Sequence, residues 1–366
     1  MSGGISQLVA TGAQDVHLVG DPQVSFFRSN YKRHTNFSAV KARQVIQGGN
    51  VRNETTGTTA SGMSTVRFEK KGDLLSYTYL TKVDAEGTVP IGADDINYVE
   101  LYIGGQLVDT QYSDYSEGVW PKLEANSYSK VAAPTDFYPL HFFFCDNWTN
   151  ALPLVALQYH DVEIRIYWQD ANASAVDGTI ECWSNFIYLD EAERTYFAEN
   201  TQSMLIKQTQ RSQATGKAMQ PFNFNHPVLY IGSSTAPDNM CTDNLDPNTM
   251  PATEPIIQFN INGVQSGDAM RMAPHFVSSP GYYHAPDASD GSVFCIPFAL
   301  NLCSNQPSGS LNFSRLDSSR LEVQNPSSVF DDVAAVAGRK TPTAFYAVNW
   351  NVLKIENGMG GLMYSN

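Results

Sequence analysis

Apolar and polar residues alternate along many short stretches of this chain, and the stretches end at turn-forming residues. The run VELYIGG at residues 99–105 alternates and then stops at a glycine, and VEIRI at residues 162–166 alternates in the same way. A period of two predicts strands with one buried face. Helical spacing is scarce, and its best example is DEAERTYFA at residues 190–198, which opens with a capping-box arrangement. The pattern therefore predicts an all-β fold with a short helix near the middle.

The chain also contains an internal repeat. Moving VELYIGG by 158 positions gives IQFNING at residues 257–263, and the same offset carries Pro139 onto Pro297 and Cys145 onto Cys303. With one residue inserted, LQYHDVEI at residues 157–164 falls on LDSSRLEV at residues 316–323. Three matches in the same order predict two copies of one β-sandwich domain, each with room for eight strands. We expect an N-terminal arm at residues 1–22, a first sandwich with its following helix at 23–210, and a second sandwich at 211–366.

Composition agrees with two globular domains, because the 366 residues are 42% hydrophobic and only 16% charged. The formal net charge is −14, yet residues 22–53 contain no acid and six bases. These bases are Arg28, Lys32, Arg33, Lys41, Arg43 and Arg52. The rest of the chain is acidic, which argues against a nucleic-acid-binding groove. The basic stretch is open to two interpretations: contact with an anionic membrane or partner, or ordinary solvated and interface cations.

The cysteines and the N-terminal residues suggest folding in a reducing compartment. The five cysteines are an odd number and form no Cys-x-x-Cys motif, which predicts buried free thiols. No secretory signal pattern is found at the N-terminus, and the longest apolar run, residues 151–157, is too short to span a membrane. Five N-glycosylation sequons are therefore expected to stay unused. They begin at Asn36, Asn53, Asn147, Asn172 and Asn312.

A search for catalytic or metal-binding motifs gives no site. His275 and His284 are nine residues apart and make a weak metal candidate, since isolated histidines usually have structural roles. His160, Asp161 and Glu163 resemble an acid/base set, but the alternation around them places Glu163 on the solvated or inter-subunit face of a strand. We therefore predict no catalytic residue, no metal and no cofactor.

Two aromatic groups remain. The run HFFF at residues 141–144 follows a repeat-matched proline, so we expect it in a core. Tyr282 and Tyr283 could anchor a loop at a contact surface, and the sequence does not decide their role.

Several long segments resemble the major capsid proteins of nucleocytoplasmic large DNA viruses, the family that includes iridoviruses and phycodnaviruses. In the first half they are QLVATGAQD (7–15), GDPQVSFFRSNYKRHTNF (20–37), LPLVALQYHDVEI (152–164) and LDEAER (189–194) with the following Phe197 and Ala198. In the second half they are FNHPV (224–228), PSGSLNFSRLD (307–317), YAVNWNVLKI (346–355) and GMGGLMYSN (358–366). They cover the chain from end to end in the family's order.

The resemblance implies two tandem eight-stranded jelly rolls joined by a short helical segment, in a structural protein that is not an enzyme. It implies a homotrimer that forms a pseudo-hexagonal capsomer, with capsomers tiling an icosahedral virion capsid over an internal membrane after assembly in the host cytoplasm. Implied partners are further copies, minor capsid proteins and inner-membrane lipids, without direct nucleic-acid binding. On this family arrangement the basic stretch faces inward, so Arg28, Lys32, Arg33 and Arg43 are candidates for contact with lipid headgroups or acidic minor proteins.

The chain is short for the family, so we expect small loops at the outer surface of the capsomer. Two alternatives remain. One is a minor capsid protein with the same fold, which abundance in the virion would distinguish. The other is a carbohydrate-binding or hydrolytic β-sandwich, which requires a concave site with converging carboxylates or a metal.

Overall fold

The computed structural model describes residues 2–48, 62–92, 95–126, 136–169, 178–215, 219–233, 256–286, 293–324 and 344–364. The chain divides into two compact units, Met1–Asn36 and Phe37–Asn366. The first unit contains two short helices, α1 (Ser2–Val9) and α2 (Val16–Val19), and its apolar side chains are exposed, Phe26 and Phe27 almost completely. The expected arm at residues 1–22 lies within this unit, and its end at residue 22 stays a prediction.

The second unit contains two β-sandwiches. The first sandwich comprises β1 (Phe37–Gln44), β2 (Ile46–Gly48), β3 (Met63–Arg67), β4 (Leu74–Val83), β5 (Thr88–Val89), β6 (Ile96–Ile103), β7 (Gln106–Tyr112), β8 (Tyr138–Pro139), β9 (Leu152–Pro153), β10 (Val162–Trp168) and β11 (Thr179–Leu189). One sheet has the order β1-β11-β4-β5, with β8 and β9 also on β4, and the other has the order β2-β3-β10-β6-β7. All of the pairings are antiparallel.

The second sandwich repeats this arrangement. It comprises β12 (Gln202–Gln213), β13 (Met219–Phe222), β14 (Pro227–Ser233), β15 (Ile256–Ile261), β16 (Val264–Gln265), β17 (Met270–Arg271), β18 (Phe294–Pro297), β19 (Leu311–Asn312), β20 (Ser319–Gln324), β21 (Ala344–Glu356) and β22 (Met359–Leu362). Its sheets have the orders β12-β21-β14-β18 and β13-β20-β15-β16, with β19, β22 and β17 as side pairings. Among the described residues each sandwich therefore has eleven strand segments rather than eight, and many of the segments contain only two to four residues.

The strand order identifies each sandwich as a jelly roll. In the first sandwich β1 pairs with the last strand, β11, and β3 pairs with β10; in the second, β12 pairs with β21 and β13 with β20. Apart from the short segments β2 and β22, this is the nested pairing of a jelly roll, in which the first strand pairs with the last and the next strand with the next to last. The expected all-β fold of two tandem jelly rolls is confirmed.

The repeat is confirmed in its elements and corrected in its register. The repeat-matched runs form β6 and β15, and their partners are β10 and β20. Ile164 stands opposite Leu101, whereas Leu321 stands opposite Phe259. Because Leu101 and Phe259 correspond, Ile164 and Leu321 correspond in the structure. The sequence alignment instead paired Val162 with Leu321, which is a difference of two residues. A slip of two keeps every side chain on its own face, which is why the alternation could not detect it.

Each sandwich has its own core, and a third cluster joins the two. The first core includes Leu80, Phe142, Phe144 and Ile164, so the expected burial of the HFFF run is confirmed for its phenylalanines. The second core includes Phe222, Phe294 and Phe345, whose rings make edge-to-face contacts, with Phe345 against the other two. The third cluster lies between the sandwiches and is described below.

Helical segments occur at the connections. They are α3 (Trp120–Leu123), α4 (Glu191–Glu199) and α5 (Ser279–His284), two π-helical turns (Tyr115–Val119 and Ala273–Ser278), and two 3-10 turns (Trp148–Asn150 and Phe313–Arg315). The expected helix between the sandwiches is α4. Asp190 caps it by accepting a hydrogen bond from the Glu191 backbone N–H, and Arg194 pairs with Asp73 of the first sandwich at 3.0 Å.

The strand after α4 crosses the expected domain boundary at residues 210 and 211. All twelve residues of β12 pair with β21, from Gln202 opposite Ile355 to Gln213 opposite Ala344. The division into domains stays a prediction, and this pairing favours a second sandwich that begins at Gln202. Within the described part of the chain, no helix is long and apolar enough to cross a bilayer.

Candidate functional site

The acid/base set suggested by the sequence is dispersed in the structure. The His160 ring Nδ1 lies 2.9 Å from the Gly360 carbonyl oxygen, and Asp161 forms an ion pair with Arg67. Glu163 lies on β10 between the buried residues Val162 and Ile164, as the alternation predicts. His160 and Asp161 thus each have their own structural partner, whereas Glu163 lies on the partly exposed face of its strand.

The histidine pair does not form a metal site either. His275 is exposed in the second π-helical turn, and His284 Nδ1 lies 2.8 Å from the Ala299 carbonyl oxygen. Over the residues that the structure describes, no group of three or more His, Cys, Asp or Glu side chains is arranged to hold a metal ion. Four cysteines (Cys145, Cys182, Cys295 and Cys303) are free thiols, as expected, and all of these except the partly exposed Cys145 are buried. Cys241 lies outside the described residues.

The four basic candidates fall in both units. Arg28, Lys32 and Arg33 belong to the first unit, where their side chains are exposed. Arg43 belongs to the second unit, where it stands on β1 and pairs with Glu181 at 2.7 Å. For Arg43, pairing with the chain's own carboxylates is therefore observed. A surface pair of this kind leaves the guanidinium 64% exposed and adds little to stability.

Three of the five sequons lie on described residues. Asn147 and Asn312 cap the two 3-10 turns, since each side chain accepts a hydrogen bond from a backbone N–H two residues on. Asn36 is exposed at the end of the first unit. Asn53 and Asn172 lie outside the described residues. That the sequons are unused stays a prediction.

The most developed polar site lies where the two sandwiches meet. After β7, residues 115–125 leave the first sandwich as a π-helical turn followed by α3, and they pack on the outer face of the β12-β21-β14 sheet. Val119, Trp120 and Leu123 are buried there against Tyr346 and other residues of that face. The buried side chains of this segment are mostly apolar and cover a sheet surface that is also apolar, so their burial stabilises the joint.

Glu124 is the polar centre of this joint. Its Oε1 accepts hydrogen bonds from the hydroxyls of Tyr115 (2.7 Å) and Tyr230 (2.6 Å), and its Oε2 accepts one from Lys207 Nζ (2.8 Å). Burial raises the pKa of Glu124, but the Lys207 charge and these hydrogen bonds outweigh it and hold the pKa below its usual value. Burial also raises the pKa values of both tyrosines, so their hydroxyls remain donors. The arrangement therefore holds a carboxylate between the sandwiches.

A second buried carboxyl lies on β7, beside β12. Asp109 Oδ1 accepts a hydrogen bond of 2.8 Å from the Thr209 backbone N–H, and its other oxygen is 3.2 Å from Gln111 Nε2. Burial raises the pKa of Asp109 to about 7, although these hydrogen bonds oppose the shift. Asp109 lines an open polar groove of about 360 Å³ between the sandwiches, together with amide side chains such as Gln208 and Asn349. Arg211 and His226 also line this groove.

The C-terminal hairpin is a third contact between the sandwiches. Gly360 lies so close to Leu157 that a Cβ on it would stand 2.8 Å from a Leu157 methyl carbon. Ile355 of β21 belongs to the core of the first sandwich. Three separate contacts thus join the two halves, which makes the pair of sandwiches one body.

Sequence reasoning missed Glu124, Lys207 and Asp109. The available signal was weak: Glu124 is one of two acids in the stretch at residues 115–125, which also contains a lysine, and Lys207 is the one lysine of a strand that contains four glutamines. Which polar residues become buried depends on contacts between segments 83 residues apart, and alternation does not report them.

Comparison with known proteins shows similarity over the whole chain. A family model described as "Major capsid protein N-terminus" matches residues 25–195, and one described as "Large eukaryotic DNA virus major capsid protein" matches residues 193–361. The chain is 33% identical to the major capsid protein of Paramecium bursaria Chlorella virus 1 and 32% identical to that of Pyramimonas orientalis virus, with 100% of both chains covered in each case. These alignments run to 449 and 422 positions, so the relatives carry insertions that this chain lacks.

Solved structures agree. A structure of PBCV-1 VP54, fitted into a reconstruction of the virophage Sputnik, matches with a TM-score of 0.71 at 26% identity and covers 93% of this chain and 100% of that one. The Faustovirus major capsid protein matches with a TM-score of 0.58 at 12% identity, covers 94% of each chain, and so shares the fold. Both sandwiches are included in these similarities.

Proposed function

The chain belongs to the family of large eukaryotic DNA virus major capsid proteins, and on that premise we propose that three copies associate into a pseudo-hexagonal capsomer. It is a structural protein of the virion capsid and not an enzyme. In the proposal, capsomers of this kind tile an icosahedral shell over an internal membrane, after assembly in the host cytoplasm.

The observation that carries the proposal is the duplicated sandwich. Two jelly rolls with the same strand order are joined through a buried cluster, so one chain presents two near-equivalent halves. Three such chains around a threefold axis present six near-equivalent sandwiches, and six corners make a tile that packs in a hexagonal layer. A single sandwich per chain would give only three corners.

The proposed partners follow from charge and place. Further copies of the chain are the main partners, and minor capsid proteins and inner-membrane lipids are the proposed inward ones. Arg28, Lys32 and Arg33 are exposed cations in a stretch without acids, which suits anionic headgroups or acidic proteins. Arg43 remains in this set, although Glu181 already pairs with it. The formal net charge of −14 argues against direct contact with nucleic acid.

Size-exclusion chromatography with light scattering on the recombinant chain tests the capsomer. A monomer has a mass of 40.3 kDa, and we expect a species of three times that mass. A chain that remains monomeric over the accessible concentration range contradicts the proposal.

A further inference from the structure

The two sandwiches present equivalent outer faces, and the register shows which residues correspond. Tyr79 on β4 stands opposite Pro139, and Tyr230 on β14 stands opposite Pro297, the proline that the repeat matches to Pro139. Tyr79 and Tyr230 therefore occupy the same position in the two jelly rolls.

The first strands correspond in the same way. Trp183 stands opposite both Tyr79 and Arg43, just as Val348 stands opposite both Tyr230 and Thr209. Two positions before Arg43 and Thr209 stand Lys41 and Lys207. Each sandwich thus carries a lysine and a tyrosine at equivalent points of its outer face.

In the second sandwich this pair is covered. Lys207 and Tyr230 both donate to Glu124, which the segment 115–125 of the first sandwich places on the face. In the first sandwich the equivalent face is partly exposed, since Lys41 is exposed and Tyr77 and Tyr79 are half-buried. Lys41 lies 5.9 and 5.8 Å from the ring centroids of Tyr77 and Tyr79, and Trp148 and Phe137 extend the aromatic surface with exposures of 52% and 39%. We call this surface, made of Lys41, Tyr77, Tyr79, Phe137 and Trp148, the aromatic face.

The covering segment also has a counterpart. The π-helical turn Tyr115–Val119 moves by the repeat offset of 158 onto Ala273–Ser278, which is again a π-helical turn, and α3 is followed there by α5. The same offset carries Glu124 onto Tyr282. Tyr282 and Tyr283 are 77% and 71% exposed, and their rings stand 4.9 Å apart, edge to face. The segment that covers a neighbouring face in the first sandwich therefore ends in two exposed aromatic side chains in the second.

We propose that Tyr282 and Tyr283 of one copy dock on the aromatic face of a second copy, so that the joint inside each chain is repeated between chains. This inference rests on the proposed trimer and names its contact. The occupant is a second copy because the equivalent elements, the segment 115–125 and the outer face of the second sandwich, already make this contact within one chain. The contact is head-to-tail, and when each of three copies offers one segment and one face, the ring closes with six sandwiches.

The second sandwich has Tyr282 at the position equivalent to Glu124, and a tyrosine suits a contact between separate molecules. Within one chain the Glu124 carboxylate contacts Lys207, and the fold keeps this carboxylate buried. Between copies a Tyr282 ring over Lys41 provides a cation–π contact without bringing a second charge out of water. Tyrosines are also common anchors at protein–protein interfaces, since one end of the ring is apolar and the other is polar.

The first test removes the anchors. In the Tyr282→Ala/Tyr283→Ala variant we expect trimer formation to weaken by at least roughly thirtyfold, the usual effect of removing a pair of interface anchors. Light scattering over a dilution series measures it, and circular dichroism checks that the monomer is folded. Tyr159→Ala is the matched control, because Tyr159 is 75% exposed and lies in neither surface. The trimer of this control should dissociate at the same protein concentration as the trimer of the parent chain.

The second test is cross-linking. In a Cys241→Ser background, copies carrying Lys41→Cys are mixed with copies carrying Tyr282→Cys and treated with a short bismaleimide. The proposal expects cross-linked pairs in the mixture only, and a chain carrying both changes should give linked trimers. The docking is overturned, and the trimer is left in place, if the parent and the double alanine variant trimerise equally well and no 41–282 cross-link forms. A parent that stays monomeric overturns both.

Discussion

The carboxylate of Glu124, contributed by the first sandwich, accepts a hydrogen bond of 2.8 Å from Lys207 Nζ of the second sandwich. Glu124 is buried, with an exposure of 3%, and Lys207 is mostly buried, with an exposure of 13%. A buried ion pair is costly to break from one side, because the remaining charge stays in a poorly solvated place. The contact therefore fixes the two sandwiches relative to each other.

Removing one partner should destabilise the chain strongly. We expect Glu124→Gln and Lys207→Met each to lower the free energy of unfolding by about 3–5 kcal/mol. The double variant should lose clearly less than the sum, since neither charge is then left alone. Urea unfolding at one fixed protein concentration measures these values. Lys354→Ala, which removes an exposed pair with Glu356, is the control and should cost less than about 1 kcal/mol. Additive losses in the double variant would contradict the coupling.

Asp109 should make stability depend on pH in an identifiable window. Its pKa is raised from 3.8 to about 7 by burial, so the folded chain holds a proton there that the unfolded chain has lost. Its contribution to stability is complete below pH 3.8 and is lost as the pH rises to about 7. Glu124 has the opposite sign, because its lowered pKa makes its contribution present above 4.5 and lost only on acidification below that value.

The Asp109→Asn variant isolates this effect, since an amide has the same shape and does not titrate. Relative to the parent chain, the variant should gain about 2 kcal/mol of unfolding free energy between pH 5 and pH 7. Urea unfolding at a series of pH values checks it. Asp317→Asn changes an exposed carboxyl and should run parallel to the parent. A parallel curve for Asp109→Asn would mean that Asp109 is not protonated in the fold.

The sequence predicted much of this architecture and little of its joint. Alternation and the repeat were enough for two β-sandwiches, because a buried sheet face requires a period of two. The sequence could not reveal the two-residue register difference at Leu321, because a shift of two residues leaves every side chain on the same face of the sheet. β12 was partly missed because polar residues such as Gln208 and Gln210 point into the joint, where Asn349 and Asn351 supply their hydrogen-bond partners. Buried amide pairs of this kind break the apolar pattern on which such predictions depend.

The turn between β6 and β7 provides a sharp test of the contact with the C-terminal hairpin. Gly104 and Gly105 both have positive φ angles, +58° and +81°, which favour glycine. A Cβ on Gly104 would lie 2.2 Å from His160 Nδ1, whereas a Cβ on Gly105 would meet nothing within 4 Å. We expect Gly104→Ala to lower the free energy of unfolding by roughly 2 kcal/mol more than Gly105→Ala, because only Gly104→Ala displaces the imidazole. In a His160→Ala background the difference should vanish, and a difference that persists there would assign it to the backbone alone.

The exposed cations of the first unit should act in assembly and not in folding. Lys32→Glu/Arg33→Glu reverses two charges whose side chains are exposed, so we expect an unchanged melting temperature and an unchanged trimer mass. If these residues meet anionic headgroups or acidic minor proteins, the reversal turns attraction into repulsion, and each basic residue near an anionic membrane contributes about 1 kcal/mol. Shell formation in infected or transfected cells, scored by electron microscopy, should then fall sharply. Arg315→Glu/Arg320→Glu reverses two exposed arginines of the second sandwich and is the matched control. Normal shells on membranes in the Lys32→Glu/Arg33→Glu variant would remove the inward contact from the proposal while leaving the capsomer unaffected.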